Sequence, residues 1–213
     1  MNEMDEMNGM DEKIFIQDRI EALEESVEYF SNPKKPERER WDVETFLATL
    51  GVTFNDGDIR SATPEQEPAD VFFGGAAFQC KEILDPGRHR QREYAQQLAN
   101  ARVAVRADEL LSSFIPKDLM LAEVCYLVLE QVKKLDTKYA SADQSKTNLL
   151  FYVNLTNRFF TPGQLPELAQ FTTHGWCSIS VLLNSGAIVL HTAPDAPNYL
   201  VHNSGLFIPS GSS

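Results

Sequence analysis

Pro68-Ala-Asp-Val-Phe-Phe-Gly-Gly-Ala-Ala-Phe-Gln-Cys-Lys-Glu-Ile83 reads as a short strand, a two-residue turn and a second strand. Gly74-Gly75 between two apolar, aromatic-rich runs is a strong hairpin signal. With those glycines as the loop, Phe73 faces Ala76, Phe72 faces Ala77, Val71 faces Phe78 and Asp70 faces Gln79. Side chains alternate between the two faces of a strand. Asp70, Gln79 and Lys81 therefore share one face, while Val71, Phe73, Phe78 and Cys80 form an apolar one. A slip of one residue would turn Asp70 into the core, so the register decides whether these polar groups meet.

Downstream of the hairpin, Asp85-Pro-Gly87 turns the chain into a helix from Arg88 to about Val105. Pro116 opens a long helix, apolar on more than one side, reaching about Tyr139. Leu149–Leu155 is a continuous apolar run, the pattern of a strand buried on both faces. Trp176–Leu183 and Ala187–His191 form a second hairpin around Asn184-Ser-Gly186. Upstream lie an extended piece near Ile59–Ala62, a strand candidate at Val52–Phe54 and a helix over about Glu37–Leu50. The apolar stripe of that helix is Trp41, Val43, Phe46, Leu47 and Leu50, and Glu44 leans toward it. Ile14–Phe30 is an amphipathic helix, with Ile16, Ile20, Leu23, Val27 and Phe30 inside and Glu21, Glu24, Glu25 and Glu28 outside. The order predicts an α/β fold, a mixed β-sheet flanked by helices. Residues 1–12 are expected to form a disordered acidic tail, 13–192 a single domain and 193–213 a C-terminal coil docked by Tyr199 and Phe207.

A hydrophobic content of 43% and a charged content of 23% are those of a soluble globular chain. No apolar run approaches the roughly 18 residues of a membrane span, so no membrane association is expected. The acidic N-terminus has no basic segment followed by an apolar one, as a secretory signal would. Cys80, Cys125 and Cys177 are odd in number and widely spaced, which suits reduced core thiols in the cytoplasm. The net charge of −12 means that any grip on phosphates must come from local cations.

Asp70 on one strand, Gln79-Cys-Lys81 on the next and Glu44 on the preceding helix resemble the motif of the PD-(D/E)xK nuclease superfamily, a restriction-endonuclease-like fold. The resemblance covers roughly residues 37–155. More narrowly, the chain is similar to an uncharacterised family of pseudomonad proteins labelled endonucleases. The resemblance implies hydrolysis of phosphodiester bonds in DNA with Mg²⁺ or Mn²⁺. It makes Asp70 the central metal ligand, the backbone carbonyl of Cys80 a second and Glu44 a third, direct or through water. Lys81 would orient the attacking water and stabilise developing negative charge. The sequence departs from the superfamily at Gln79, where an acid is usual, and at Pro68, which stands two residues before Asp70 rather than beside it.

Arg88, His89, Arg90 and Arg92 begin seven residues after Lys81 and form the candidate nucleic-acid grip. A rival reading is an inactive version of the same fold whose acidic helix, 14–30, docks a basic protein partner. His174, His191 and His202 lack paired ligand spacing and read as structural. A more remote reading gives His174, His191 and Trp176 to a small-molecule site.

Overall fold

Gly74 and Gly75 have φ of 53° and 87°, the positive values that a two-residue hairpin turn of this type requires. The hairpin closes in the expected register, Val71 opposite Phe78, Phe72 opposite Ala77 and Phe73 opposite Ala76. The computed structural model describes residues 3–111, 113–161, 163 and 167–211, with backbone alone for 3–10. Along the chain come α1 (Glu3–Tyr29), α2 (Lys35–Thr49), β1 (Ile59–Ser61), β2 (Val71–Phe73), β3 (Ala76–Ile83) and α3 (Arg90–Ala101). There follow β4 (Lys117–Met120), α4 (Leu121–Asp136), α5 (Ser141–Gln144), β5 (Thr147–Val153) and β6 (Arg158–Thr161). The described chain closes with β7 (Ser178–Leu183), β8 (Gly186–Thr192), α6 (Asn198–Val201) and β9 (Phe207–Pro209).

These elements fall into two compact units, one of residues 1–35 and 86–115, the other of 36–85 and 116–213. The first holds α1 and α3. Leu23 packs with Leu98 and Ala101, and Ile20, Val27, Tyr94 and Leu110 close the cluster. This small core is internal to the first unit. The tail expected to be disordered over 1–12 is helical from Glu3, in a stretch rich in Met and Glu, which are strong helix formers.

The second unit is built on a seven-stranded sheet ordered β1-β2-β3-β5-β7-β8-β9. β3, β5 and β7 are parallel, and the hairpins at either side are antiparallel. The sheet is therefore mixed, as the order of elements implied. All seven residues of β5 are buried, as its unbroken apolar run predicted. On one face, Val43, Phe46 and Leu47 of α2 pack on Val71, Phe78, Cys80, Leu150 and Leu182. On the other, α4 supplies Val124, Val128 and Val132 against Leu149, Phe151, Ile179 and Val181. Helices thus cover both faces.

Three local expectations change. Pro116 does not start the long helix: Lys117–Met120 is a strand paired in parallel with Arg158–Thr161, and the helix begins at Leu121. Val52–Phe54 pairs with no strand among the described residues, whereas Ile59–Ser61 does. The C-terminal coil is ordered, because Leu200 is buried and Phe207–Pro209 extends the sheet beside β8. Phe207 docks against Phe160, with ring centroids 4.9 Å apart, and Tyr199 docks against Phe73 at 5.8 Å. Gly186 is required where it stands, since a Cβ there would meet the carbonyl oxygen of Ile208 at 2.3 Å.

Candidate active site

Asp70 stands one residue before β2. Its N–H donates to the carbonyl of Phe78 at 2.8 Å, and its own carbonyl accepts the N–H of Ala62 at 2.8 Å. The ladder between β2 and β3 ends at Val71 and Phe78, so Cys80 lies just beyond it. There the side chain of Asp70 takes over from the backbone. Its Oδ2 accepts the N–H of Cys80 at 2.9 Å and is 3.3 Å from Lys81 Nζ. Lys81 Nζ also donates to the carbonyl oxygen of Cys80 at 2.9 Å. A carboxylate, the backbone N–H and C=O of Cys80 and an ammonium therefore close a small ring at the end of the hairpin. The carboxylate is 16% exposed and the lysine side chain 32%, so the ring is reachable from solvent but shielded.

α2 carries two further acids on its buried side. Glu39 and Asp42 are each only 9% exposed. The carbonyl of Glu39 accepts the Cys80 thiol at 3.6 Å. Burial holds that thiol well above its ordinary pKa, and the negative charges of Asp42, Asp70 and Glu39 raise it further, while Lys81 acts against them. The charges of three carboxylates and a lysine are thus felt at Cys80.

Glu44 is placed differently. Its carboxylate accepts Arg40 Nε at 2.6 Å, and Arg40 also holds Asp56. Residues advance about 100° around a helix, so Glu44 lies roughly 140° from Glu39 and 160° from Asp42. Among the described contacts, none joins Glu44 to Asp70 or Lys81. The buried acids of α2, whose charge is felt at Cys80, are Glu39 and Asp42, and neither was expected there. The signal was present, because Glu39 precedes Val43 by four residues and Asp42 precedes Phe46 by four.

Gln79 shares the face of Lys81 but is 1% exposed and turned inward, where its Nε2 donates to Tyr139 Oη at 2.9 Å. Its Oε1 has no hydrogen-bond partner among the described residues. Gln79→Glu is expected to bury a carboxylate and to lower stability by about 1–3 kcal/mol at neutral pH. Burial raises a carboxyl pKa, so this deficit should shrink as pH falls toward the unfolded value, which urea unfolding at two pH values would show.

Arg88, His89, Arg90 and Arg92 belong to the other unit, at and just before the start of α3. Arg88 pairs with Glu93 at 2.8 Å, and the Arg90 guanidinium lies 3.9 Å from the centre of the Phe30 ring. His89 and Arg92 are exposed.

Of the histidines near the C-terminus, His174 and His191 lie near one another and His202 is exposed. Asp136, ending α4, accepts the indole N–H of Trp176 at 2.8 Å and pairs with His174 Nδ1. Trp176 is 1% exposed. Burial lowers the pKa of His191 from its ordinary 6.5, and neighbouring His174 lowers it further, against a backbone hydrogen bond with Trp176. The folded pKa being depressed, His191 favours the fold above about pH 6.5 and its contribution is lost as pH falls through the folded value. His191→Gln should therefore flatten the acid side of the stability profile in denaturant titrations from pH 7 to 5.

Among the described residues, no three His, Cys, Asp or Glu side chains are grouped as a metal cage. No described helix is long and apolar enough to cross a membrane. The fold and site together define a mixed α/β-sheet protein with an acid and a lysine meeting at the end of an antiparallel hairpin. The chain belongs to the family DUF1780, described as "Putative endonuclease, protein of unknown function", whose model matches residues 11–210. It is also similar to a solved structure from Pseudomonas aeruginosa strain PAO1, a protein of unknown function described as of the monooxygenase superfamily. That likeness has 26% identity and a TM-score of 0.64 over 92% of this chain and 93% of the other. No curated protein matches the chain.

Proposed function

We propose that this chain is a metal-dependent nuclease of the PD-(D/E)xK type that hydrolyses phosphodiester bonds in DNA. The observation that carries the reading is the convergence of the Asp70 carboxylate, the Cys80 carbonyl and the Lys81 ammonium. The endonuclease description of the family supports it. The donor set fits Mg²⁺ or Mn²⁺. A carboxylate and a peptide carbonyl are hard oxygen ligands, Mg²⁺ keeps several waters and so needs few protein ligands, and a cation already lies against both oxygens in the form of Lys81 Nζ. Asp70 and the Cys80 carbonyl would hold the metal, with waters filling its remaining positions. When bound, the metal would neutralise the scissile phosphate and lower the pKa of a water.

The remaining work falls to the chain's own groups. Lys81 donates hydrogen bonds to oxygen as negative charge grows on the phosphate. Gln79 contributes by fixing β3 through Tyr139 rather than by ligation. The exposed His89 and Arg92, with Arg88 and Arg90, are proposed phosphate contacts. The three free, buried cysteines suit a reducing cytoplasm. The test is cleavage of single- and double-stranded DNA and RNA with Mg²⁺ or Mn²⁺. Divalent-dependent cleavage is expected, and its absence across all four substrates would overturn the reading.

A second reading is favoured by the net charge of −12 and by the exposed Glu21, Glu25 and Glu28 on α1. It makes the chain an idle nuclease-like fold whose acidic helix docks a basic protein, and it predicts no cleavage of any substrate.

A further inference from the structure

We propose that Lys81 is a built-in competitor for the metal: its ammonium sits on the two oxygens that a divalent ion would need, so metal can bind only by displacing it. The inference rests on the nuclease reading above. Lys81 Nζ is 2.9 Å from the Cys80 carbonyl oxygen and 3.3 Å from Asp70 Oδ2. These are the two ligands that hairpin register brings together, and one point charge already serves both. An ammonium and a divalent cation repel at such separation and cannot share the same pair of oxygens. The long, flexible lysine stem lets the ammonium leave without moving β3.

Leaving has a consequence for substrate. Off its two acceptors, the ammonium needs another anion, and the phosphate of a nucleic acid supplies one. Metal and phosphate then strengthen each other's binding, since each favours the displaced lysine, and such coupling is reciprocal. The metal-free protein is held in a closed, charge-balanced form until both arrive. A lysine that only assists chemistry would leave metal affinity unchanged when it is removed.

The test is calorimetric titration of Mn²⁺ into wild type, Lys81→Met, Lys81→Gln and Asp70→Asn, with folding checked by circular dichroism. Both lysine variants should bind Mn²⁺ about tenfold more tightly than wild type, and Asp70→Asn should lose binding. A phosphorothioate DNA duplex should tighten Mn²⁺ binding in wild type and tighten it less in Lys81→Met. Equal or weaker Mn²⁺ binding in both lysine variants, with Asp70→Asn still losing it, would overturn the competition while sparing the metal site. No Mn²⁺ binding by wild type or either lysine variant would overturn both.

Discussion

Asp70→Asn should lower the proposed metal-dependent DNA cleavage by about a thousandfold or more and Lys81→Ala by about a hundred- to a thousandfold, while Glu44→Gln should change it little. Asp70→Asn keeps the shape of the side chain and an oxygen for the Cys80 N–H, so its loss reports the missing charge and not a collapsed hairpin. The Lys81 side chain is 32% exposed, so its truncation leaves the buried core residues in place. Removing one preorganised charge-stabilising group from an active site typically costs about two to three orders of magnitude in rate, and loss of a metal ligand costs more. Glu44 is engaged by Arg40 on another side of α2, which is why its neutralisation is expected to be mild. Initial rates on a labelled duplex, with each variant's folding checked, measure all three.

Phe46→Ala should destabilise the second unit by about 3–5 kcal/mol. Phe46 is fully buried between α2 and the sheet, in the cluster that includes Phe78, Cys80 and Leu150. Truncation removes apolar burial and leaves a cavity that flanking helix and strand fill only in part. The same helix carries the buried Glu39 and Asp42, so the variant also loosens their placement. Urea unfolding should show a lower midpoint with an unchanged slope. Activity should fall less steeply than stability at low temperature, because Phe46 positions the site and does not form it.

The hairpin was legible in the sequence because its signals are local. Two adjacent glycines fix the turn and its register, which brings Asp70 within hydrogen-bonding reach of Phe78 and Cys80. β5 was legible because a strand covered on both sides leaves an unbroken apolar run. The orientation of α2 was not. Counting Trp41 in its stripe rotates the inferred face toward Glu44, whereas Trp41 is 44% exposed, with its ring edge-on to Tyr152. One residue is about 100° of helix rotation, so a single misplaced aromatic exchanges the inward acids. Gln79 was placed on the right face, but its inward turn toward Tyr139 depends on a partner sixty residues away, which local pattern cannot supply. The start of β4 was missed for the same reason. Its partner, Arg158–Thr161, lies far along the chain, while Pro116 carries the local signature of a helix start.

The proposed metal seat is the Asp70 carboxylate with the Cys80 carbonyl, now held by Lys81. Anomalous diffraction from crystals soaked in Mn²⁺ tests it most directly. A manganese peak bonded to the Asp70 carboxylate and the Cys80 carbonyl oxygen, with Lys81 Nζ displaced, is the predicted result. A fully soaked crystal with no peak there, and Lys81 Nζ still on both oxygens, would contradict it.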